Sequence, residues 1–495
     1  MPALARGALT FVCEGKAMTR AWLAAWVLAC AATAADADTI RVPGDYPAIQ
    51  MAIDAASNGD VVLVADGVYR GSRNTNLNFR GKAITVRSEN GPAACTIDPQ
   101  RNGSAFVFNS RETPDARVEG FTLTGASYVE GGSLVIDGAS PTIVGCTLEN
   151  NWAGLSGGGL QCSNGAAPLI ERCTIRNNLA GVGGGIYSKN ASPRVVDTQI
   201  SGNRTDIIGA GGVAAVQGGL IRLEGCVITD NTAMGFAGNG GGVQINGARA
   251  VLDNCLIAGN RGTLYGGGLI VVNGASAEVW NTTIADNVSE ATGGGVYTNA
   301  ELTVSDSILW DNLPEQIFVA GGAPRVTYSD VQGGWQGEGN LDEDPRFVDG
   351  PAGGHYLSHR QAGQPQDSPC IDAGSDSAEN RGLSGRTTRT DERPDAGTVD
   401  LGYHHALSGG GLNCDAIRKL KTRCKGGAPP WRVKAVVRSR LEPQTALTLL
   451  LDGGQPRLIF TNRNGSARAV WKNVPEARET CIESCQDWCR GVSCE

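Results

Sequence analysis

The sequence Cys226-Val-Ile-Thr-Asp-Asn231, followed by Gly240-Gly241-Gly242-Val243, is one copy of a pattern that repeats along the chain. Each copy begins with a small residue, such as Cys226. An apolar residue follows it two positions later, and an asparagine follows it five positions later. The apolar residues after the glycines recur every 26 to 30 residues, at Leu160, Ile186, Val213, Val243, Leu269 and Val296. Self-similarity at such a period predicts a solenoid, in which each copy is one coil stacked on the next.

The period of about 26 residues fits two kinds of solenoid, a leucine-rich-repeat horseshoe and a parallel β-helix. The short runs alternate with period two, as in Cys226-Val-Ile228, so that two inward side chains are separated by an outward one. Three such runs fit in each coil, and no coil holds a stretch long enough for a helix, which the glycine triplets would break. The pattern therefore predicts an all-β parallel β-helix of nine coils over residues 36–312.

Stacked coils are expected to place equivalent side chains in ladders. The cysteines are expected to line the interior as free thiols, because a thiol packs as a small hydrophobe. A disulfide between neighbouring Cys146 and Cys173 is the alternative. The asparagines are expected to turn the corner in a left-handed conformation and to bond along the axis, and the glycines to supply positive φ.

The two ends of a β-helix need covers, and the flanking sequence supplies candidates. Ile49, Ala52, Ile53 and Ala56 form an apolar stripe at helical spacing, which predicts a helix that plugs the N-terminal end. Residues 313–408 are loop-rich and acidic and are expected to cap the C-terminal end. Residues 409–495 are basic, and they are predicted to form a small β domain held by disulfides among its six cysteines.

The N-terminus has the features of a secretory leader. A basic residue precedes the apolar run 21–35, and Ala34-Ala35-Asp36-Ala37 offers a small-residue cleavage site. Residues 1–35 are therefore expected to be a signal peptide, with Met18 as an alternative start, and Cys30 in a lipobox-like sequence makes a lipoprotein the alternative. No later apolar run is long enough to cross a membrane. A secreted or cell-surface monomer that binds no nucleic acid is expected.

Two stretches resemble a known family. The opening Thr39-Ile-Arg-Val-Pro-Gly-Asp-Tyr-Pro-Ala-Ile-Gln50 is similar to the entry segment of pectin-lyase-like right-handed β-helix proteins. The series Asp344-Pro-Arg-Phe-Val-Asp349, Ser368 to Gly374 and Asp400-Leu-Gly-Tyr403 resembles the end of secreted bacterial β-helix proteins that carry a C-terminal anchoring or sorting module. The resemblance implies the scaffold over roughly residues 39–404, but a fold does not by itself transfer an activity.

In the enzymes of that family, catalysis takes place on the outer face of one sheet, which here corresponds to the strands after the glycine triplets. Alternation predicts two outward rows, residues 161, 187, 214, 244, 270 and 297, and residues 163, 189, 216, 246, 272 and 299. Neither row holds a carboxylate, so the acids and bases of a polysaccharide lyase or hydrolase are missing there. Rings, amides and a lysine suit binding of a polysaccharide or cell-envelope polymer. The predicted binding residues are Gln161, Tyr187, Lys189, Gln244, Asn246, Tyr297 and Asn299.

Acidic residues elsewhere keep other functions open. Asp342, Asp344 and Asp349 form the densest acidic cluster and are a candidate Ca²⁺ site, although they lack EF-hand spacing, and no other cofactor is indicated. Asp206 and Glu290 lie in turns that lead to the candidate face and could deliver acids to it. Three functions therefore stay open: a non-catalytic polymer-binding protein, a polysaccharide lyase or hydrolase, and a structural spacer at the cell surface.

Overall fold

The chain forms a parallel β-helix, as the repeat predicts. A computed structural model describes residues 37–235 and 240–407 and, after these, seven strands between residues 417 and 491. All of its helices and strands belong to one unit, Thr39–Glu495. Four parallel sheets, named A to D here, carry the solenoid, and each strand pairs in register with its equivalents in the neighbouring coils.

Within each sheet, consecutive strands belong to consecutive coils. Sheet A comprises Thr39–Val42, Val61–Val64, Thr85–Ser88, Arg117–Glu119, Thr142–Val144, Leu169–Glu171, Arg194–Val196, Leu220–Glu224, Arg249–Asp253, Ser276–Trp280, Glu301–Ser305 and Arg325–Thr327. Sheet B comprises Gly67–Tyr69, Cys95–Ile97, Thr122–Thr124, Thr147–Glu149, Thr174–Arg176, Gln199–Ser201, Val227–Thr229, Leu256–Ala258, Thr283–Ala285, Ile308–Trp310 and Asp330–Val331. Sheet C comprises Phe106–Phe108, Leu134–Asp137, Leu160–Ser163, Ile186–Lys189, Val213–Val216, Val243–Asn246, Leu269–Val272, Val296–Thr298 and Ile317–Val319. Sheet D comprises Ser127–Glu130, Trp152–Ser156, Leu179–Val182, Arg204–Thr205, Thr232–Ala233, Arg261–Gly262 and Val288–Ser289.

Coils in the middle of the solenoid contain four strands rather than the three that the sequence predicts. The additional sheet D lies between the asparagine turn and the glycine triplet, and some of its strands are as short as Arg204–Thr205 and Thr232–Ala233. A run of two residues cannot show an alternation of period two, so the sequence pattern does not reveal these short strands.

The interior has the predicted rows. The cysteines of the repeat are buried free thiols, so the alternative of a disulfide between Cys146 and Cys173 is wrong. The asparagine row forms a buried ladder of amide hydrogen bonds along the axis. The left-handed conformation, however, belongs to the residue before each ladder asparagine, with φ of 55° at Asn177 and 57° at Asp230.

Close packing between coils, as well as backbone conformation, requires the glycine triplets. Gly183, the first of one triplet, has the predicted positive φ, 62°. Gly184 excludes a side chain for a different reason, because a Cβ there would lie 2.4 Å from the Arg204 carbonyl oxygen of the next coil. The glycines therefore let neighbouring backbones approach each other at the transition from sheet D to sheet C.

The predicted helix closes the N-terminal end of the core. It spans Ile49–Ala55, and its apolar residues Ile49, Ala52 and Ile53 are buried. At the other end, the solenoid continues past the predicted boundary at residue 312, since Ile317–Val319, Arg325–Thr327 and Asp330–Val331 extend sheets C, A and B. Trp335 packs against the core beyond these strands.

Part of the segment expected to cap the C-terminal end lies along the flank of the solenoid instead. We call residues 375–406 the strap. The Tyr403 backbone N–H donates to Thr283 Oγ1 at 2.9 Å, and the His404 backbone N–H donates to Asn254 Oδ1 at 2.7 Å. Arg386 forms an ion pair with Asp197. The strap therefore covers several coils, beside sheet B, rather than one open end.

The remaining strands are antiparallel. Before and within the strap, Phe347–Gly350 pairs with Gly353–Leu357 and Arg386–Thr387 pairs with His405–Ala406. Two short 3₁₀ turns lie at Ser72–Asn74 and Arg360–Ala362. Within residues 409–495, one sheet contains Ile417–Lys425, Trp431–Ser439 and Ser466–Val474, and another contains Arg457–Phe460, Ala446–Leu451, Glu479–Ile482 and Cys485–Gly491.

Some sequence-based expectations fall outside what the structure describes. The predicted disulfides of residues 409–495 are not supported: the described cysteine side chains form no disulfide, and those of the last six cysteines lie outside the described residues. The predicted leader at residues 1–35, including Cys30, also lies outside them. Within the described residues, no helix has the length and apolarity needed to cross a membrane.

Candidate functional site

The outer face of sheet C has the predicted register, but part of it is covered. Gln161, Tyr187, Gln244 and Tyr297 belong to one row of paired strands. Gln161 and Gln244 are only 8% and 4% exposed. The loops between sheets D and C fold over this row, so that a Cβ on Gly209 would lie 3.0 Å from Gln244 Oε1. In this arrangement the two glutamines are internal side chains and not part of an open binding face.

The second row leaves three predicted residues at the surface. Lys189 and Asn299 are exposed, and Asn246 is half-buried. Asn273 connects the two asparagines, because its side-chain amide donates to Asn246 Oδ1 and its backbone N–H donates to Asn299 Oδ1, both at 3.0 Å. Part of the hydrogen-bonding capacity of these amides therefore stabilises the turn after sheet C.

Three aromatic rings stand in series at the C-terminal end of this face, and we call Tyr265, Tyr297 and Phe318 the aromatic strip. The ring centroids of Tyr265 and Tyr297 are 4.7 Å apart. Those of Tyr297 and Phe318 are 5.6 Å apart, and their planes differ by 15°. Tyr265 is 39% exposed and the other two rings are half-buried. Tyr187 lies four coils away from Tyr297 in the register and outside the strip.

Sequence reasoning identified Tyr297 but missed its two neighbours. Phe318 pairs in register with Tyr297, but it lies past the point where the repeat motif fades. The one feature of the sequence that could have identified Phe318 is that it continues the outward row of Tyr297 by one coil. Tyr265 lies in the loop after Arg261–Gly262 and follows no period, so only the folded loop shows that it joins the strip.

A second exposed ring borders a groove of about 620 Å³ at the turn between sheets B and D. Trp152 is 48% exposed, and Arg101, Asn150 and Asn177 also line the groove. Asn150 and Asn177 are left-handed turn residues with exposed side chains. A ring beside amides and a guanidinium forms a second surface with groups suited to sugars.

The acids proposed from the sequence as possible catalysts are paired with arginines. Asp206 Oδ1 lies 2.8 Å from Arg204 Nε, and Glu290 Oε1 lies 2.9 Å from Arg261 Nη2. All four side chains are largely exposed. These pairs place both carboxylates beside sheet D, each with a cation as its nearest charged partner.

One carboxylate does belong to the second outward row of sheet C. Asp137 pairs in register with Ser163, one coil before the positions considered in the sequence. Its Oδ1 accepts hydrogen bonds from Ser163 Oγ at 2.9 Å and from the side-chain amide of Asn164 at 2.5 Å. The second outward row therefore lacks a carboxylate only from Ser163 onward.

The predicted Ca²⁺ ligands are exposed and take part in local turns. Asp342 Oδ1 accepts from the Gly333 backbone N–H at 2.9 Å, and Asp344 Oδ1 accepts from the Arg346 backbone N–H at 2.8 Å. Among the described residues, these two and Asp349 are not brought together with the spacing of metal ligands.

The described cluster that does have such spacing is Asp395, Asp400 and His404, whose ligand atoms lie within 4.8 Å of one another. It is buried and hydrogen-bonded internally, with His404 Nε2 2.8 Å from Asp395 Oδ2. The Asp400 carboxylate accepts from the Asp372 backbone N–H and the Thr388 hydroxyl. Burial, together with the charge of Asp395, raises the pKa of Asp400 to about 6. These contacts stabilise the fold of the strap.

Two solved structures are similar to this chain at low sequence identity. The crystal structure of pectate lyase Pel9A is similar over 74% of this chain and 97% of that chain, at 11% identity and a TM-score of 0.40. The structure of the PL6 family alginate lyase AlyGC matches 66% of this chain and 56% of that chain, at 12% identity and a TM-score of 0.26. No curated protein matches the sequence.

The family model described as the right-handed beta helix region matches residues 67–241 and 184–336. Together these matches run from residue 67 to residue 336, which is more than half of the 495 residues. They coincide with the coils described above. The chain therefore belongs to the right-handed beta-helix family.

Proposed function

We propose that this protein binds a polysaccharide or cell-envelope polymer, without cleaving it, along the outer face of sheet C. The observation that carries the proposal is the aromatic strip, in which three rings form an apolar ledge at the surface of a solenoid. Aromatic rings supply large contact areas at a low cost in conformational entropy, and tyrosine adds a hydroxyl that can bond to water or ligand.

Tyr265 is the ring best placed to contact a sugar. Tyr297 lies between Tyr265 and Phe318, so its faces are partly occupied by its neighbours. Tyr265 is the most exposed of the three. The exposed amide of Asn299, beside Tyr297 along the same coil, supplies a polar group for the hydroxyls of the polymer.

Export of the protein forms part of this proposal. Its support is the leader-like sequence at residues 1–35, which would direct the chain to an environment where such polymers occur.

The test is affinity electrophoresis of the full chain on a panel of plant, algal and bacterial-envelope polysaccharides. We expect retention by at least one polymer, and a loss of affinity of about tenfold for Tyr265→Ala, in line with the loss of a central aromatic contact. Tyr128→Ala is the matched control, since that ring is 55% exposed on sheet D, outside the strip. If Trp152→Ala abolishes retention and Tyr265→Ala does not, the groove and not the strip binds the polymer.

The same polymers distinguish binding from catalysis. We expect no new reducing ends or unsaturated products. Asp137, in the outward row itself, accepts hydrogen bonds from Ser163 and Asn164. Asp206 and Glu290, beside sheet D, are each paired with an arginine. Product that disappears in Asp206→Ala or Glu290→Ala would establish a lyase or hydrolase instead. Absence of retention on every polymer would favour a structural spacer.

A further inference from the structure

A pocket lies between the strap and the outer side of sheet B, away from the aromatic strip. Its volume is about 200 Å³. Sheet B and the adjoining turn form one wall, and the strap together with Ala352 forms the other. Its lining includes Asp197, Val227, Leu256, Arg386, Tyr403 and His405.

Two residues that line this pocket each have a buried polar atom without a hydrogen-bond partner. Arg386 uses Nη2 to bond Asp197 Oδ1, but its Nη1 is unpaired. His405 is only 3% exposed, and its Nε2 is also unpaired. A buried donor or acceptor without a partner is costly and uncommon, so two in one pocket call for an explanation.

The chemistry of His405 identifies Nε2 as an acceptor. Burial lowers the pKa of this imidazole to about 4, so the ring is neutral near pH 7. The hydrogen bond with the His355 backbone raises the pKa, so the ring is its donor, and because Nε2 is unpaired we assign the proton to Nδ1. The ring is held in place by Tyr356, which stacks on it at a centroid distance of 3.6 Å, and by Tyr403, edge-on at 4.8 Å.

The charges of the pocket favour an uncharged ligand. The Arg386 guanidinium and the Asp197 carboxylate form an ion pair, so their charges balance. An additional anion would meet Asp197, and an additional cation would meet Arg386. A ligand must nevertheless accept a hydrogen bond from Arg386 and donate one to His405, and a hydroxyl group can do either.

The walls and the volume of the pocket restrict further which ligands can bind. Val227, Leu256 and the ring of Tyr403 give the pocket apolar surface, which suits the C–H face of a sugar ring. The volume is below the roughly 300–1,000 Å³ typical of sites for drug-sized ligands, so a single ring fits but a chain does not.

We propose that this pocket binds one neutral sugar ring, with hydroxyl groups that accept from Arg386 Nη1 and donate to His405 Nε2. The choice of a sugar rests on the proposed polymer-binding function, while the requirement for a neutral hydroxyl-bearing ligand rests on the pocket. The ligand is a free monosaccharide or the terminal unit of a chain, since no further unit can enter.

The test is calorimetric titration of the full chain with D-glucose, D-galactose, D-mannose and L-rhamnose, and with D-glucuronate and D-galacturonate as charged counterparts. We expect saturable binding of one neutral sugar per chain, and weaker binding of the acids. His405→Phe keeps a ring against Tyr356 but removes the acceptor, and it should weaken binding by about tenfold or more.

Two further variants provide a second test of the pocket and separate this proposal from the proposed polymer binding. Val227→Phe, on the solenoid side, should fill the pocket and abolish binding without touching a polar group, which provides the test if His405→Phe does not fold. Tyr265→Ala should retain monosaccharide binding although it binds the polymer about tenfold more weakly. Failure of one proposal is therefore distinguishable from failure of the other. Absence of saturable binding, or binding unchanged in both pocket variants, would show that water alone occupies the pocket and would overturn the proposal.

Discussion

The side-chain amide of Asn203 donates to Asn231 Oδ1 at 3.0 Å, and Asn231 makes the same bond to Asn260 one coil further along. The Asn231 amide also donates to the Ile200 carbonyl at 2.8 Å. Both of its donors and its acceptor are thus used, and its side chain is fully buried. The ladder connects successive coils at the turn between sheets B and D, directly after the left-handed residue of that turn.

We expect Asn231→Ala to destabilise the solenoid strongly. The change would remove the buried hydrogen bonds that the Asn203 backbone N–H and the Ile200 carbonyl make with Asn231, at about 1–3 kcal/mol for each group. Denaturant unfolding followed by circular dichroism measures the effect. Asn102→Ala, at an exposed asparagine outside the ladder, is the control and should be nearly neutral. Equal stability of the two variants would contradict the ladder's role.

Gly184→Ala should also lower stability, for a steric reason. The new Cβ would lie 2.4 Å and 2.7 Å from the Arg204 oxygen and nitrogen, so neighbouring coils would have to move apart, at a cost of about 1–3 kcal/mol. At Gly321 a Cβ would meet nothing closer than 3.8 Å. Melting temperatures of the two alanine variants measure the difference, and a wild-type value for Gly184→Ala would refute the close approach.

The described cysteines should be unreactive in the folded protein. Burial raises the pKa of Cys95 to about 12 and also raises those of Cys162 and Cys255, and the thiolate is the reactive form. The hydrogen bond with Cys146 lowers the pKa of Cys173, but burial keeps the reagent away from this thiol as well. Iodoacetamide at pH 8, followed by mass spectrometry, should label none of them in the native chain and all of them in guanidinium. Native labelling at Cys162, or a peptide that joins Cys146 to Cys173, would contradict the buried free-thiol row.

His405 should make the protein sensitive to acid. Its pKa is about 4 in the folded chain against an ordinary value of 6.5, so between these pH values the unfolded chain binds a proton that the folded chain does not. Stability from this group is therefore present above pH 6.5 and is lost as the pH falls towards 4, by at most about 3 kcal/mol.

The corresponding measurement compares the wild type with His405→Phe in denaturant unfolding at pH 7 and pH 4.5. Asp330 and Asp400, whose pKa values burial raises to about 6, are present in both proteins and cancel in the comparison. We expect the variant to lose less stability on acidification than the wild type. A larger loss in the variant would mean that His405 is protonated in the folded state.

The sequence by itself determined the solenoid, its register and its interior. Inward and outward positions follow from local strand geometry, and a residue type that recurs once per coil must stack on its equivalents. The free thiols of Cys146 and Cys173, the asparagine ladder and the apolar stripe of Ile49–Ala55 could all be predicted for this reason. Phe318 could have been predicted by the same reasoning, because it extends the outward row of Tyr297 by one coil.

The tertiary structure alone decided which parts of the outer surface are open. Gln161 and Gln244 have the right register for a binding face, but loops without a period bury them. Tyr265 reaches Tyr297 through such a loop, and Arg386 meets Asp197 across a sequence separation of 189 residues. Contacts of this kind depend on how the strap and the loops pack on many coils at once, and no local pattern in the chain encodes them.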